Sequence, residues 1–81
     1  MYTIKVPVGL HARHAGILVK AAAPFQAQVT VECRGRQADG KRILGLMGLG
    51  VHQGDLVRVS VSGEDEDAAA RALKACFWEH F

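Results

Sequence analysis

The sequence contains few of the residues that cross-link a chain, and it contains no long hydrophobic run. Its 81 residues include two cysteines, two prolines and one tryptophan. Cys33 and Cys76 form no Cys-x-x-Cys pair. Each falls on the apolar side of the strand or helix that the surrounding sequence predicts. We therefore interpret both as small buried hydrophobic residues, and not as a disulfide or a redox motif. No apolar run reaches the ~20 residues of a membrane span, and Met1 leads directly into a strand pattern, so we expect a cytoplasmic protein that does not insert into a membrane.

Charge of neither sign dominates the chain. Lys and Arg number 10 and Asp and Glu number 8, which gives a formal net charge of +2, and no block of like charges is present. Nucleic-acid-binding domains usually carry a basic stripe or patch, so this class of protein is not favoured. Because the chain has only 81 residues, we expect one domain with one core over residues 1–81.

Alternating polarity and helical periodicity predict elements in the order β-α-β-β-α-β-α. The predicted strands cover Tyr2–Val6, Gln28–Cys33, Arg36–Asp39 and Val57–Ser62. The predicted helices run from Ala12 to just before Pro24, over Arg42–Met47, and onward from the acidic residues that follow Gly63. Strands of alternating polarity indicate a sheet with one covered face. We therefore predict an α+β fold, an open-faced β-sandwich in which a four-stranded antiparallel sheet carries three helices on one face.

Candidate chemistry is concentrated in the run Gly9-Leu10-His11-Ala12-Arg13, where the first strand gives way to the first helix. The first N–H groups of a helix lack intrahelical acceptors and the helix dipole is positive there, so a phosphate is stabilised. The same positive end disfavours an imidazolium, which keeps the ring of His11 neutral and nucleophilic near pH 7. Arg13 adds a forked cation for phosphate oxygens. A histidine that only caps the helix near solvent has the same local sequence, so both interpretations stay open on these residues alone.

The same run resembles the active-site signature of HPr, the histidine-containing phosphocarrier of the bacterial phosphoenolpyruvate-dependent sugar phosphotransferase system. The segment KRILGLMGLG, residues 41–50, is similar to the family's second signature around its short middle helix. The resemblance covers essentially the whole chain. It implies that His11 accepts a phosphoryl group on Nδ1 from enzyme I, a donor charged by phosphoenolpyruvate, and passes it to a sugar-specific enzyme II-type acceptor. Arg13 and the backbone of Ala12 would contact the phosphate, with His14 as a further candidate.

The resemblance also implies a docking patch in the middle segment. Ile43, Leu44 and Met47 match family positions that contact partners. Independently, a short helix cannot bury all five large apolar residues of this segment, so exposed apolar surface is expected. Lys20 and Lys41 would surround the patch and attract acidic partners, which speeds encounter more than it tightens binding. The alternative for either lysine is an ordinary solvated charge.

Three positions depart from the family pattern. The family usually has proline directly after its arginine, where this chain has His14, and losing the proline loosens the first helical turn. Three roles are open to His14: a hydrogen bond to a phosphate oxygen, competition with His11 as the phosphoryl acceptor, or simple exposure to solvent. We expect it to face solvent. Val8 replaces a polar residue and removes a local capping bond. Arg42 stands where many Gram-positive members have a regulatory serine, so phosphorylation of that residue is excluded.

A metal site is one rival interpretation of the histidines. His11 and His14 are three residues apart, a spacing that brings two imidazoles to one side of a helix, and zinc accepts such ligands. Two ligands do not make a site, and the other histidines lie in separate segments. We therefore expect neither a metal nor a cofactor.

Two other rivals keep the scaffold and change the role. One is a regulatory module that has lost phosphotransfer, and the other is a carrier in a nitrogen-related or dihydroxyacetone kinase phosphorelay. The presence of both His11 and Arg13 argues against the first, while nothing in the sequence separates the second from the sugar system. We predict a monomeric phosphocarrier that is a phosphoryl-transfer intermediate and not an autonomous enzyme, because in-line transfer needs groups from donor and acceptor.

Overall fold

The computed structural model describes residues 2–3 and 12–81. Within them the helices are α1 (Ala12–Ala22), α2 (Ile43–Met47) and α3 (Glu66–His80), and the strands are β1 (Tyr2–Thr3), β2 (Gln28–Cys33), β3 (Arg36–Asp39) and β4 (Leu56–Ser62). The α+β class, the three helices and the antiparallel pairing are confirmed. Of the first predicted strand only Tyr2–Thr3 lies in the described part, so its extension to Val6 stays a prediction.

The central strand of the sheet is β2, which pairs antiparallel with β3 on one side and with β4 on the other. Thr3 of β1 lies opposite Leu56 of β4, which gives the order β1-β4-β2-β3. Val29 and Val31 of β2 are fully buried because their side chains point to the covered face. The alternate residues of β2, which are Gln28, Thr30 and Glu32, are polar and face away from this covered side.

A hydrophobic core fills the space between the covered face and the helices. Leu18 of α1 and Leu73 and Phe77 of α3 are buried, as their helical spacing predicts. Val19, the residue after Leu18, is half-buried and packs against the core from its margin. α1 contacts both α2 and α3, so it is the helix through which the other two are held together.

Both cysteines belong to this core. Cys33 and Cys76 are buried and carry free thiols, which confirms their interpretation as small hydrophobic residues. Burial raises the pKa of each thiol above its ordinary value. Because the thiolate is the reactive form, neither group is suited to redox chemistry.

The turn between β2 and β3 follows its sequence closely. Arg34 and Gly35 both have positive φ, at 51° and 79°, as the two central residues of a type I′ hairpin turn require. The pair Arg34-Gly35 between two alternating segments is typical of a tight turn, and the structure has that turn. The turn also positions Arg34, whose side chain contacts the segment after α2.

One carboxylate joins the start of α3 to the connection between α1 and β2. Asp65, the residue before α3, accepts the backbone N–H of Gln26 on Oδ2 and that of Ala27 on Oδ1, each at 2.8 Å. These N–H groups lie 39 and 38 residues away in sequence, so the contact ties two distant parts of the chain together. The hydrogen bonds, first that from Gln26, hold the pKa of Asp65 below its ordinary value of 3.8.

We expect Asp65→Asn to lower stability at pH 7 and to have little effect in acid. A carboxylate whose pKa is depressed by folding contributes stability above its unfolded pKa, and this contribution is lost as the pH falls through the folded pKa. The urea midpoints of the two proteins should therefore differ at pH 7 and converge below 3.8. A difference that keeps its full size in acid would contradict this account.

Candidate functional site

The first turn of α1 has the features that an anion-binding helix start needs. α1 begins at Ala12, directly after His11, and its first turn contains no acidic residue. The N–H groups of this turn therefore face no competing carboxylate on the helix itself. Arg13 is exposed, so its guanidinium is open to solvent. His11 itself, like Val8, Gly9 and Leu10, lies outside the described residues, and its role stays a prediction.

The structure corrects the expectation that His14 faces solvent. Its side chain is half-buried, its Nδ1 atom is inaccessible, and its ring lies against Phe81 with centroids 5.4 Å apart and planes inclined by 59°. The physical reason is that the end of α3 lies beside the first turn of α1. Phe81, which also packs on Phe77 at 4.9 Å, needs apolar cover there. In this conformation Nδ1 of His14 cannot reach a phosphate oxygen.

The middle segment divides its apolar residues between core and surface, as predicted. Leu46 and Leu49 are buried, whereas Leu44 is 84% exposed and Ile43 and Met47 are about 40% exposed. A five-residue helix presents only one side to the protein, so its remaining apolar residues face outward. We call Ile43, Leu44 and Met47 the α2 patch. α2 begins one residue later than predicted, because Arg42 has an extended backbone and is its N-cap residue.

The side chain of Arg34 contacts the segment that follows α2, and the sequence did not predict this contact. Arg34 Nη2 donates to the carbonyl oxygen of Gly50 at 2.7 Å, and Nη1 lies 3.2 Å from Oδ2 of Asp55. The same carboxylate oxygen accepts the backbone N–H of His52 at 2.9 Å. Arg34 thus connects the β2–β3 turn to the loop that follows the α2 patch. Only the local turn pattern was visible in the sequence, and it gives no information about a partner 16 residues away.

The two lysines predicted around the patch differ in their surroundings. Lys20 is exposed in the last turn of α1, the helix that packs against α2. Lys41 is half-buried, and its Nζ donates to the carbonyl oxygen of Phe25 at 2.6 Å. Its ammonium is therefore occupied by a contact within the protein, which leaves it less available to a partner than Lys20. Arg42 is more open: its side chain is 80% exposed, with Nε 3.7 Å from Oδ2 of Asp39.

Among residues 2–3 and 12–81, no group of three or more His, Cys, Asp or Glu side chains is placed to hold a metal ion. No helix in these ranges is long and apolar enough to cross a membrane.

Comparison with known proteins decides the family. The sequence profile described as "PTS HPr component phosphorylation site" matches residues 1–79. The chain belongs to the HPr family. Phosphocarrier protein HPr of Xylella fastidiosa (strain Temecula1) is 39% identical over 79 residues, which cover 98% of this chain and 89% of the relative. That of Lysinibacillus sphaericus is 42% identical over 78 residues, with coverages of 96% and 89%.

A solved structure agrees with the sequence relatives. The histidine-containing phosphocarrier protein of a mycoplasma superposes with a TM-score of 0.89 at 32% identity, over 93% of this chain and 85% of that one. The resemblance to HPr inferred from residues 9–13 and 41–50 is thereby confirmed for the whole fold. The protein is thus a member of the phosphocarrier family of the phosphotransferase system.

Proposed function

We propose that the protein accepts a phosphoryl group on His11 from a phosphoenolpyruvate-charged enzyme I and passes it to sugar-specific enzyme II-type acceptors in the cytoplasm. The observation that carries the proposal is the first turn of α1, which contains no acidic residue and includes the exposed Arg13. The same helix packs against α2, which carries the apolar patch. Transfer between two proteins needs a nucleophile close to a docking surface, and here the proposed nucleophile precedes α1 while the proposed docking surface lies on α2. We also propose that Ile4–Val6 complete the first strand of a four-stranded sheet.

The chemistry at His11 is a displacement at phosphorus. A ring nitrogen of His11 attacks, the bond between phosphorus and the donor breaks, and its electron pair leaves with the donor. The product carries about two negative charges. Arg13 and the N–H groups that begin at Ala12 would stabilise these charges with charge-assisted hydrogen bonds. Transfer onward is the same displacement in reverse, with the acceptor's nucleophile attacking.

The α2 patch would dock donor and acceptor. Leu44 is the most exposed of its three residues, and such a side chain is expected to enter an apolar pocket of the partner. Lys20 would steer acidic partners, and we assign Lys41 a smaller part in docking because its ammonium is bonded to Phe25.

Phosphorylation of the purified protein tests the proposal directly. The protein is incubated with phosphoenolpyruvate and the enzyme I of its own organism, and its intact mass is measured at neutral to alkaline pH. One added phosphoryl group that is lost on acid treatment is the expected result, because a phosphorus–nitrogen bond is acid-labile. No added mass with this donor would leave the HPr fold in place and refute the carrier function.

A further inference from the structure

The first turn of α1, residues 12–15, depends on the rest of the protein for its helical form. A helix of 11 residues is marginal in isolation, because nucleating its first turn is unfavourable. Gly16 follows this turn, and glycine inside a helix is less favourable than alanine because it loses more backbone freedom. Packing does not require this glycine, since a Cβ atom there would meet nothing within 4 Å outside the backbone of its own helix.

Only one described side chain of the first turn presents a ring to another element. Arg13 is exposed, and Ala15 is buried but contributes a single methyl group. The ring of His14 lies against that of Phe81, with centroids 5.4 Å apart and planes inclined by 59°. Aromatic pairs prefer such tilted arrangements over a parallel sandwich. The contact between His14 and Phe81 is therefore the main hold that the described residues provide on this turn.

Phe81 is a fixed support for this contact. Its buried ring packs on that of Phe77, with centroids 4.9 Å apart. Its backbone N–H donates to the carbonyl oxygen of the same residue at 3.1 Å. Phe77 in turn belongs to the hydrophobic core. The contact with His14 thus connects the start of α1 to the core through the end of α3.

We propose that His14 is a positioning residue for phosphotransfer, because its ring, held by Phe81, keeps the first turn of α1 helical. This inference rests on the proposed function, in which N–H groups of the turn and the guanidinium of Arg13 bind the phosphoryl oxygens on His11. The directions of these donors follow from the backbone of the turn. A turn that opens part of the time presents them in place only part of the time, so transfer slows. His14 acts through packing, since its Nδ1 atom is inaccessible.

Hydrogen exchange tests whether the contact holds the turn. In an α-helix the N–H groups of Gly16 and Ile17 donate to the carbonyl oxygens of Ala12 and Arg13, four residues earlier. Their exchange rates, measured by NMR on the unphosphorylated protein, report on opening of the first turn. We expect His14→Ala to raise both rates about fivefold or more.

Steady-state kinetics test whether that hold serves phosphotransfer. In phosphorylation by the enzyme I of its own organism, His14→Ala should lower kcat about 10-fold and leave KM within about twofold, because the α2 patch is untouched. Phe81→Leu should act in the same direction, and combining the two should add little because both remove one contact. His14→Phe should keep at least about half of the parent's kcat, since it restores the aromatic contact without a ring nitrogen.

Two further variants separate ordering of the turn from general stability. Adding Gly16→Ala to His14→Ala should recover part of the lost kcat, because alanine favours the helix and has room there. Val57→Ala removes buried apolar volume from β4, far along the chain from α1, and lowers overall stability. It should change neither kcat per folded molecule nor the exchange of Gly16 and Ile17.

Any of four results, in variants that fold by circular dichroism, would overturn the proposal. These are exchange of Gly16 and Ile17 in His14→Ala at the parent's rates, an effect of His14→Ala on KM alone, no recovery with Gly16→Ala, or His14→Phe as slow as His14→Ala. The last result would assign a direct role to a ring nitrogen. A parent protein that accepts no phosphate would refute the carrier function, whereas raised exchange in His14→Ala would still establish that the contact holds the turn, so the two failures are distinguishable.

Discussion

Replacement of His11 with alanine is expected to abolish phosphate acceptance and to leave the fold intact. The proposed intermediate is a covalent bond between phosphorus and a ring nitrogen, which neither Arg13 nor the backbone can form. Arg13 carries a guanidinium that stays protonated and is not a nucleophile, and the backbone N–H groups of the first turn only donate hydrogen bonds. Loss of acceptance should therefore be complete. Intact-mass measurement after incubation with phosphoenolpyruvate and enzyme I checks it, and urea unfolding checks the fold.

The matched control for this variant is His14→Phe. It removes both ring nitrogens of His14 and keeps an aromatic ring against Phe81, where the native ring lies 5.4 Å away. Because Nδ1 of His14 is inaccessible, we expect this variant to accept phosphate. The opposite pattern, acceptance by His11→Ala and none by His14→Phe, would move the acceptor to His14 and would mean that its ring leaves Phe81 during transfer.

Leu44→Glu is expected to lower kcat/KM for phosphotransfer by about 10- to 100-fold without changing the end point of phosphorylation. Truncating or charging a central docking residue costs about 2 kcal/mol or more of binding free energy. This loss corresponds to a roughly 30-fold decrease in kcat/KM. The variant keeps His11, so full phosphorylation is reached given time. Since Leu44 is 84% exposed, stability should change by no more than about 0.5 kcal/mol. Initial rates of phosphorylation, measured in quenched reactions at several enzyme I concentrations, give kcat/KM.

Leu46→Ala separates docking from packing in the same helix. Leu46 lies two residues from Leu44 but is fully buried, so its truncation should cost about 2–5 kcal/mol of unfolding free energy. That is a large share of the ~5–15 kcal/mol that stabilises a typical domain. Per folded molecule, kcat/KM should be unchanged because Leu46 does not reach the surface. Unaltered kinetics in Leu44→Glu would show instead that the α2 patch takes no part in docking.

Local patterns were sufficient for most of the secondary structure. The alternation of Val57–Ser62 predicts a strand, and the structure places it within β4. The pair Arg34-Gly35 predicts the hairpin turn, because few residues tolerate positive φ at two successive positions. The division of the middle segment into buried and exposed apolar residues also follows from its length, since five residues form too few turns to bury every side chain.

The sequence by itself therefore determined the elements, the α+β class, the membership in the HPr family and the candidate chemistry at His11 and Arg13. These depend on interactions within a few residues or on a motif that stands in one run of the chain. Only the tertiary structure decided that His14 packs against Phe81, that Arg34 holds Gly50, and that Asp65 caps the backbone at Gln26. Each of these joins residues from distant segments, so its geometry exists only after helices and sheet have packed.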